Sequence, residues 1–393
     1  MIYLVLCLGT LFLGERLWKH WMVVRFFRRP MPTPGRDPDL VSILQPILSG
    51  DPSLPACLEH NLRCQTRYRR EYLWLVDSDD PTAQEICRGL IARYPDRDVR
   101  LIVLPPPEDR RSPKTIKLIA GARLAQGDVV CVLDDDTRLP DAGLERCLPY
   151  LDQPGVGLAF GLPFYVSFTN FWSSLVAIFV NSQSLITYIP YTYLIEPFTI
   201  NGMFFAIRRQ VLDDVGGFEG LEDKVADDFA IAQRFRAHGY RLAQTPLCHP
   251  ISTQVNGPRA YLRLLHRWLI FPRETVMKAL PWRTLAVAYG LALVPTMLPL
   301  LLAVALLIWP SGWLAGLLLL YLAYSYIMFA HFNVAYLGRA APWGRSWLVP
   351  LVQLLLPLQL GLALIAPQRI VWRGHVMRIE RGGRFAFVKR RTS

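Results

Sequence analysis

Aspartates follow two of the apolar runs in the first half of the chain. Asp77 ends one run in LVDSDDP, with Asp79 two positions later, and Asp134, Asp135 and Asp136 end another in VCVLDDDTRLP. Side chains alternate along an extended chain, so Asp134 and Asp136 point to the same side. Adjacent carboxylates repel one another unless a cation lies among them, and Mg²⁺ or Mn²⁺ would bind their oxygens and a diphosphate together. A single Asp after a strand usually only starts a turn, but the repeated aspartates favour a metal site.

Two further charged blocks lie at predicted helix starts. Lys114 occurs in SPKTIKL, where helix-end N–H groups and a cation can meet a phosphate, although a lone lysine there is usually solvated. Asp227 and Asp228 precede apolar residues at helical spacing, and Gly239 ends that pattern. One of the two carboxylates would suffice as a helix cap. The second is available as a general base for an acceptor hydroxyl.

A cation and an indole stand next to each other shortly before the most apolar part of the chain. Arg267 and Trp268 end the sequence LLHRW. Such a pair can neutralise a phosphate and stack on a sugar or a lipid headgroup. An arginine and a tryptophan anchored at a membrane edge would explain the same residues equally well.

The elements that position these residues alternate between strand and helix. Strand-like runs lie at 40–44, 72–76, 99–104 and 129–133, and helical stretches lie between them at 54–66, 82–94 and 114–126. This alternation predicts an α/β domain with a mostly parallel, doubly wound sheet. Such sheets bind ligands at the carboxyl ends of their strands.

The composition requires contact with a bilayer. Hydrophobic residues make up 52% of the 393 residues and charged residues only 19%, which is too apolar for an ordinary soluble enzyme. The net charge of +12 comes largely from basic clusters beside the apolar runs. Within the soluble block acidic and basic residues are interspersed, so we predict anionic lipid rather than nucleic acid as the partner of these clusters. The seven cysteines show no zinc spacing and favour a reducing compartment.

Four regions follow from these patterns. Residues 1–28 are predicted to form a membrane anchor or amphipathic helix, residues 36–280 a cytoplasmic catalytic domain, and residues 368–393 a basic cytoplasmic tail. Between them, residues 281–367 hold two predicted spans, 284–309 and 313–337, and an apolar run at 346–366. A third full span would place the basic tail outside, against the positive-inside rule, so this last run is predicted to be re-entrant or interfacial. Residues 164–198 are predicted to be amphipathic.

The charged blocks, in this order, resemble the family 2 glycosyltransferases and more closely the ceramide glucosyltransferase family with its bacterial glycolipid-forming relatives. Asp77, the Asp134 to Asp136 run and Asp228 match the three aspartate motifs of that family, and Arg267 with Trp268 matches (Q/R)xxRW. The resemblance covers about residues 40–275 and the tail segment VWRGHVMRI. It implies a Rossmann-like GT-A fold, a nucleotide-sugar donor and inversion at the anomeric carbon.

The resemblance also assigns roles to particular residues. The nucleotide-sugar-binding residues it implies are Asp77, Asp79, Lys114 and Asp134; the metal ligands are Asp134 and Asp136; and the catalytic residues are Asp228 as base and Arg267 and Trp268 closing on diphosphate and acceptor. Leu264 stands where the family motif has Gln or Arg, so that contact is lost or replaced, with Arg263 as a candidate. The DDD run also differs from the DSG-like form expected of animal ceramide enzymes.

The expected reaction is transfer of a hexose, glucose from UDP-glucose, to the hydroxyl of a membrane lipid such as ceramide or diacylglycerol. The expected location is an integral membrane protein of a bacterial inner membrane, rather than Golgi or ER, with its catalytic domain in the cytoplasm. Three alternatives stay open. A processive polysaccharide synthase would need more spans and a complete QxxRW, a polyprenyl-phosphate glycosyltransferase is poorly distinguished, and an inactive membrane scaffold would not need its aspartates.

Overall fold

The computed structural model describes residues 2–106, 110–365, 367–372, 374–380 and 383–390. Arg373, Arg381 and Arg391, which belong to the predicted basic tail, lie outside the described residues. The chain begins with one continuous helix, α1 (Ile2–Phe27). A proline-rich linker then leads to the first strand, because prolines lack the N–H that a helix or an inner strand requires.

The predicted catalytic region is built on one seven-stranded sheet. Its strands are β1 (Val41–Pro46), β2 (Arg70–Asp77), β3 (Val99–Leu104), β4 (Val129–Leu133), β5 (Val156–Tyr165), β6 (Phe204–Arg208) and β7 (Arg241–Ile251). The strand order is β3-β2-β1-β4-β6-β5-β7, and only β6 runs antiparallel to its neighbours. The predicted α/β fold of the GT-A type, with a mostly parallel sheet, is confirmed. The carboxyl ends of β1, β2 and β4 therefore lie side by side.

Helices cover both faces of this sheet. The first group consists of α2 (Leu54–Arg63), α3 (Pro81–Arg93), α4 (Pro113–Leu124) and α5 (Gly143–Cys147). Proline stands in the first turn of α2, α3 and α4, where a missing N–H costs no hydrogen bond. Asp80 and Ser112 cap α3 and α4 by accepting from backbone N–H groups.

The sheet separates two apolar cores. Ile43 and Trp74 belong to one cluster, whereas the next residues in their strands, Leu44 and Leu75, belong to the other. Successive side chains of a strand point to opposite faces, so strands covered on both faces read as continuous apolar runs. This is why the strand segments could be recognised from the sequence.

The second half of the catalytic region adds α6 (Phe171–Leu194), α7 (Arg209–Asp214), α8 (Asp227–Ala237) and α9 (Pro258–Glu274). The predicted amphipathic stretch 164–198 contains α6. Asn181 of this helix is fully buried. Its amide group accepts from the Tyr165 N–H at 2.7 Å and donates to the Tyr165 carbonyl at 2.9 Å, which ties α6 to the end of β5.

The C-terminal apolar region contains α10 (Val276–Ala279), α11 (Trp282–Ala292), α12 (Val294–Ile308), α13 (Gly312–Ala335) and α14 (Leu348–Ile365). Among the described residues, α13 is the one helix that is long and apolar enough by itself to cross a membrane. Helices α11 and α12 meet that criterion together, with a bend of 44° between them, and the apolar part of α14 is shorter. The prediction of two spans and a re-entrant segment stays a prediction.

The charged residues that interrupt the apolar run of α1 are buried against the C-terminal helices. Arg16 Nε donates to the Tyr321 hydroxyl of α13 at 2.8 Å. Lys19 forms an ion pair with Glu15 and donates to the Leu291 carbonyl. Polar groups among apolar helices need such partners because water is absent there, so these contacts hold α1 against the other helices.

The last described residues form a small antiparallel sheet. Its strands are β8 (Arg369–Trp372), β9 (His375–Ile379) and β10 (Phe385–Lys389), in the order β10-β9-β8. The buried side chains of this sheet pack against Ile270 of α9. The sequence analysis described this segment only as basic and made no prediction of its secondary structure.

Candidate active site

Lys114, at the start of α4, lies between two of the predicted acidic blocks. Its ammonium group is 2.8 Å from Asp134 Oδ1 and 3.1 Å from Asp227 Oδ2, and it donates to the Gly202 carbonyl at 3.0 Å. Burial by itself lowers the pKa of this lysine, but the two carboxylates outweigh burial and raise it. Lys114 is therefore a permanent cation at the point where the ends of β4, α4 and α8 meet.

The three aspartates after β4 point in alternating directions. Asp134 and Asp136 are partly exposed, whereas Asp135 is buried and accepts a hydrogen bond from the Leu48 N–H at 2.9 Å. This is the arrangement that strand alternation predicted. Burial raises the pKa of Asp134 to about 7; Lys114 opposes this shift and the neighbouring Asp136 adds to it. Asp134 and Asp136 thus form a pair of close carboxylates that repel each other.

The end of β7 positions Asp136. The Ser252 N–H donates to the Asp136 carbonyl at 2.9 Å, and the Thr253 hydroxyl donates to Asp136 Oδ2 at 3.0 Å. One carboxylate oxygen of Asp136 is thereby oriented by a partner more than a hundred positions further along the chain. Because the chain continues from Thr253 directly into α9, the same segment that holds Asp136 also delivers the predicted Arg267 and Trp268.

Loop 199–203 closes the space beside Asp134. The Asp134 N–H donates to the Met203 carbonyl at 2.9 Å, which extends the pairing of β4 with β6. A Cβ placed on Gly202 would lie 3.1 Å from Asp228 Cβ and 3.8 Å from Lys114 Nζ. A side chain at position 202 would therefore be in tight contact with Asp228, and glycine leaves room for the close approach of α8.

Asp227 and Asp228 are the first two residues of α8, and the N-cap is Ala226, which makes no side-chain cap. Asp228 Oδ1 accepts from the Phe229 N–H at 2.7 Å. Burial raises the pKa of Asp228 well above its ordinary value, and the charge of Asp227 adds to the shift. Burial likewise raises the pKa of the Tyr188 hydroxyl on α6 to about 12, with a further contribution from the Asp228 carboxylate. The Asp228 carboxylate is therefore influenced by the charge of Asp227 and in turn influences Tyr188 on α6.

Arg267 and Trp268 lie on α9, where Trp268 contacts the end of β5 and α6. Trp268 packs between Tyr165 and Phe179, with ring centroids 6.0 Å and 6.2 Å apart. Burial raises the pKa of the Tyr165 hydroxyl; the charge of Asp136 raises it further and the charge of Arg267 lowers it. Tyr165 is thus near both Asp136 and Arg267, and α9 meets the aspartate run at this residue.

Leu264 and Arg263 occupy the part of α9 that departs from the family motif. Leu264 is partly buried against the apolar cluster that includes Trp268, and Arg263 is exposed. His266 Nε2 lies 3.0 Å from the Pro367 carbonyl. Leu264 therefore takes part in packing, and no described contact gives Arg263 its predicted replacement role.

Asp77 lies at the carboxyl end of β2, as expected, and has a partner that the sequence analysis did not identify. Lys117 Nζ is 2.7 Å from Asp77 Oδ2 and donates to the Ile47 carbonyl at 2.8 Å. Burial raises the pKa of Asp77, and Lys117 opposes the shift. Asp79 lies exposed on the loop after β2. Since Lys117 and Lys114 lie on the same helix, α4 links Asp77 to the other acidic blocks.

The predicted ligands of a divalent cation are Asp134 and Asp136. Among the described residues no group of three or more His, Cys, Asp and Glu side chains is close enough to hold a metal ion. A protein site of two carboxylates is characteristic of Mg²⁺ sites in which substrate phosphates and water complete the coordination. The donor set therefore fits a cation that binds together with a diphosphate.

The sequence comparison decides the family. The model of glycosyl transferase family 21 matches residues 2–385, nearly the whole chain. This chain belongs to glycosyl transferase family 21. It is an enzyme of the glycosyltransferase class, as the sequence analysis predicted, and the resemblance to the ceramide glucosyltransferase family is confirmed.

Individual relatives of this family 21 member are distant. Ceramide glucosyltransferase 1 of Caenorhabditis elegans is 23% identical over 210 residues, which are 53% of this chain and 44% of that protein. The match therefore spans less than half the length of the curated relative. Among solved structures, a mannosyltransferase from Pyrobaculum calidifontis in complex with GDP-Man and Mn²⁺ is 18% identical, covers 93% of this chain and 98% of its own, and has a TM-score of 0.49.

Several residues of this family 21 site could not be found from the sequence. They are Lys117 beside Asp77, Gly202 beside Asp228, Thr253 beside Asp136 and Tyr165 beside Arg267. Lys117 had a weak signal, because it follows Lys114 by three positions and residues three apart share a helix face. The other three lie in loops or strand ends whose neighbours are set only by tertiary packing.

Proposed function

We propose that this protein is an inverting glycosyltransferase that transfers a hexose, glucose from UDP-glucose, to the hydroxyl of a membrane lipid such as ceramide or diacylglycerol. The observation that carries the proposal is the position of Lys114. It contacts Asp134 of the donor-side block and Asp227 of the acceptor-side block. Donor diphosphate and acceptor hydroxyl would therefore be held next to each other.

The donor side offers positive and negative groups suited to a nucleotide diphosphate. Lys114 and Arg267 can each neutralise phosphate oxygens. We assign Asp77 and Asp79, at the end of β2, to the nucleoside part of the donor. The proximity of Arg267 to Asp136 through Tyr165 supports closure of α9 over the diphosphate.

A divalent cation, Mg²⁺ or Mn²⁺, is the proposed cofactor, with Asp134 and Asp136 as its protein ligands. When bound, it would supply charge stabilisation for the leaving diphosphate. The two close carboxylates fit this role because their mutual repulsion, together with burial, raises the pKa of Asp134 to about 7 in the protein alone. Thr253 fixes the orientation of Asp136 by donating to one of its oxygens.

Asp228 is the proposed general base. Its raised pKa makes it a stronger proton acceptor than an ordinary carboxylate, and a base works best when its pKa is near the working pH. The carboxylate would accept the proton of the lipid hydroxyl as that oxygen attacks the anomeric carbon from the side opposite the diphosphate. A single displacement of this kind inverts the configuration.

The acceptor is proposed to be a lipid because an apolar helix adjoins the base. The α6 helix brings Tyr188 beside Asp228 and Phe179 beside Trp268. It also packs against α1, α9, α11, α13 and α14. A headgroup lying in the bilayer surface would reach Asp228 along this helix, while a soluble acceptor would not require these apolar surroundings.

The C-terminal helices support the proposal that the protein is inserted in a bilayer. The 24 residues of α13 extend about 36 Å at 1.5 Å per residue, against a hydrocarbon thickness of roughly 30 Å. Exposed tryptophans flank this helix, as expected of interfacial aromatic belts. They are Trp309 (44% exposed) and Trp313 (78%) near its start, and Trp343 (61%) and Trp347 (55%) beyond its end.

The proposed orientation places the catalytic region in the cytoplasm, in a bacterial inner membrane rather than in Golgi or ER. Arg25, Arg28 and Arg29 follow the apolar part of α1 on the side that leads to the catalytic region. The basic C-terminal sheet contacts the same region, because the Val225 N–H donates to the Gly383 carbonyl. The cations that precede and those that follow the membrane helices in the sequence would therefore lie on the same side of the membrane. The positive-inside rule assigns that side to the cytoplasm.

The deciding experiment is a donor and acceptor panel. Membranes containing the full chain are incubated with UDP-glucose, UDP-galactose, GDP-mannose and UDP-N-acetylglucosamine, each with ceramide, diacylglycerol and a polyprenyl phosphate. We expect one labelled lipid, a monohexosyl ceramide or diacylglycerol, identified by mass spectrometry and absent from an Asp228→Asn control. A polymeric product would instead indicate a polysaccharide synthase. A labelled polyprenyl phosphate would indicate a polyprenyl-phosphate glycosyltransferase. The absence of product with every donor and acceptor pair would indicate an inactive scaffold.

A further inference from the structure

The C-terminal sheet contacts the segment that leads into the proposed base. The Val225 N–H donates to the Gly383 carbonyl at 2.9 Å, and Lys224 pairs with Arg384 in an antiparallel bridge. Asp227 follows Val225 by two positions. Residues 224 and 225 thus pair with the turn that precedes β10, immediately before the first turn of α8.

The same sheet contacts the helix that carries Arg267 and Trp268. Ile270 of α9 is fully buried in a cluster with four side chains of the sheet, and Val225 packs against that cluster. The four are Ile370, Met377, Ile379 and Phe385. At the end of α9, Gln368 Nε2 donates to Glu274 Oε1 at 3.2 Å. One small sheet therefore contacts both the segment that leads into α8 and the helix that carries Arg267 and Trp268.

A glycine allows the sheet to approach α9 closely. Gly383 has a φ of +73°, and a Cβ on it would lie 2.7 Å from Thr275 Cγ2, just beyond the end of α9. Any other residue would be strained at this φ and would collide with Thr275. The carbonyl of the same glycine receives the Val225 hydrogen bond, so both contacts meet at one residue.

The opposite side of this segment is held by α4. The Ser112 N–H donates to the Glu222 carbonyl at 2.6 Å, two residues before Lys114. The segment 222–225 is therefore enclosed between the start of α4 and the C-terminal sheet. Movement of the sheet would free one side of the segment and leave the other attached.

Apolar packing rather than surface charge holds the sheet in place. Arg384 Nε lies 2.9 Å from Asp223 Oδ2, but these side chains are 66% and 36% exposed. Exposed ion pairs contribute little. Phe385 is 2% exposed and belongs to the same cluster as Ile270, against which Val225 packs. Because Phe385 directly follows Gly383 and Arg384, which contact segment 223–225, it links that contact to the packing on α9.

We propose that the C-terminal sheet is a brace that fixes segment 222–226 and α9 relative to each other, with Phe385 as a positioning residue for Asp228 and Arg267. This inference rests on the proposed glycosyl transfer. The tail is then required for turnover through its packing, in addition to any contact of its basic side chains with lipid. Phe385 acts through the backbone of these elements and touches neither substrate.

The first test compares Phe385→Ala with Val388→Ala in the full chain, reconstituted in nanodiscs. Val388 lies on the same strand and is 52% exposed, so its truncation controls for changes in β10 itself. We expect Phe385→Ala to lower kcat by at least about tenfold, because small misplacements of reacting groups cost on the order of 10² in rate. Amide exchange of residues 223–228 should become faster. Val388→Ala should change neither.

The second test is a rescue. Lys224 and Arg384 are opposite residues of an antiparallel bridge, whose Cα separation of roughly 4.5–5.5 Å suits a disulfide. In a Cys7→Ser background, Lys224→Cys and Arg384→Cys are added to Phe385→Ala. Oxidation should restore kcat and reduction should abolish the recovery. If Phe385→Ala yields no folded protein, Phe385→Leu is used in the same comparison.

The outcomes separate the brace from the proposed function. A wild-type protein that transfers no sugar refutes the proposed function, while amide exchange still tests whether Phe385 holds residues 223–228. An active wild type with Phe385→Ala equal to Val388→Ala in turnover and exchange overturns the brace. Loss of turnover with unchanged exchange at 223–228, or without recovery on oxidation, overturns it as well.

Discussion

Lys114 Nζ lies 3.1 Å from Asp227 Oδ2, and this ion pair joins the start of α4 to the start of α8. Because the same ammonium group is 2.8 Å from Asp134 Oδ1, the donor-side and acceptor-side carboxylates share one cation. A change of charge at any of the three residues is therefore felt by the other two. A substitution at one of these residues therefore needs a matched control substitution nearby. Asp227 and Asp228 are adjacent, so the same change at each residue serves as the control for the other.

Asp228→Asn should lower turnover by a factor on the order of 10² to 10⁴, the usual contribution of a positioned base. The fold should survive, because asparagine keeps the shape of the side chain and an oxygen for the Phe229 N–H. Donor affinity should stay near wild type. Asp227→Asn should chiefly weaken donor binding, since it releases Lys114. These expectations are checked by kcat and by calorimetric Kd for UDP. Near-normal turnover of a stable Asp228→Asn protein would leave Asp227 as the next candidate base.

The pH dependence of turnover should show the raised pKa of Asp228. A base works only when deprotonated, so kcat rises with pH through its folded-state pKa. Since burial and Asp227 raise that pKa, the acidic limb should lie clearly above the value of about 4 of an ordinary carboxyl group. Measuring kcat from pH 4.5 to 8.5 at saturating substrate checks this. A limb at or below pH 4.5 would contradict the assignment.

Asp134→Ala and Asp136→Ala should each abolish the part of UDP affinity that depends on Mg²⁺ or Mn²⁺. EDTA should reduce wild-type UDP binding to the level of these variants. Asp96→Asn, an exposed aspartate before β3, serves as the control and should behave as wild type. Titration calorimetry with UDP, with and without Mn²⁺, measures all four proteins. Equal UDP affinity in Mn²⁺ for wild type and both alanine variants would remove the metal assignment.

Labelling of engineered cysteines should locate the catalytic region in the cytoplasm. In a Cys7→Ser background, Thr82→Cys is exposed on α3 and Ser311→Cys lies in the turn between α12 and α13. An impermeant maleimide should label Ser311→Cys in intact cells, and Thr82→Cys only after permeabilisation. Labelling of Thr82→Cys in intact cells would reverse the proposed topology.

His249 should make the catalytic region sensitive to acid. It is fully buried on β7, neither ring nitrogen has a hydrogen-bond partner, and burial lowers its pKa to about 3. A group with a lowered folded-state pKa stabilises the fold above its unfolded pKa, near 6.5, and loses this contribution as the pH falls toward 3. Each unit of difference corresponds to about 1.4 kcal/mol, so the free energy of unfolding should fall by several kcal/mol over that range.

The comparison that isolates His249 uses His249→Asn, with His238→Asn on the exposed end of α8 as the control. Thermal unfolding in detergent from pH 7.5 to 4.5 should show a shallower loss of stability for His249→Asn than for wild type. His238→Asn should follow the wild-type curve. Parallel curves for all three proteins would mean that carboxylates alone cause the acid sensitivity.

The first four strands and the positions of the acidic blocks could be predicted from the sequence, whereas β5, β6 and β7 were not predicted. β1, β3 and β4 agree with the predicted runs to within one or two residues, because strands buried on both faces are continuous apolar runs bounded by turns. The placement of Asp77 and Asp134 followed from one rule, that parallel strands end at the same edge of a sheet. Alternation along the chain also predicted that Asp134 and Asp136 point to the same side, and both are partly exposed whereas Asp135 is buried.

The contacts between these blocks were decided by tertiary structure alone. Lys114 was predicted as a phosphate-binding candidate with a solvated lysine as the alternative, and its position between Asp134 and Asp227 was not foreseen. The N-cap of α8 is Ala226 rather than Asp227 or Asp228. The C-terminal sheet appeared in the sequence only as a basic tail. Periodicity and strand direction are properties of neighbouring residues and can be read locally. Ion pairs and packing between distant segments depend on how whole elements approach one another, and that approach is set by the total burial of the fold.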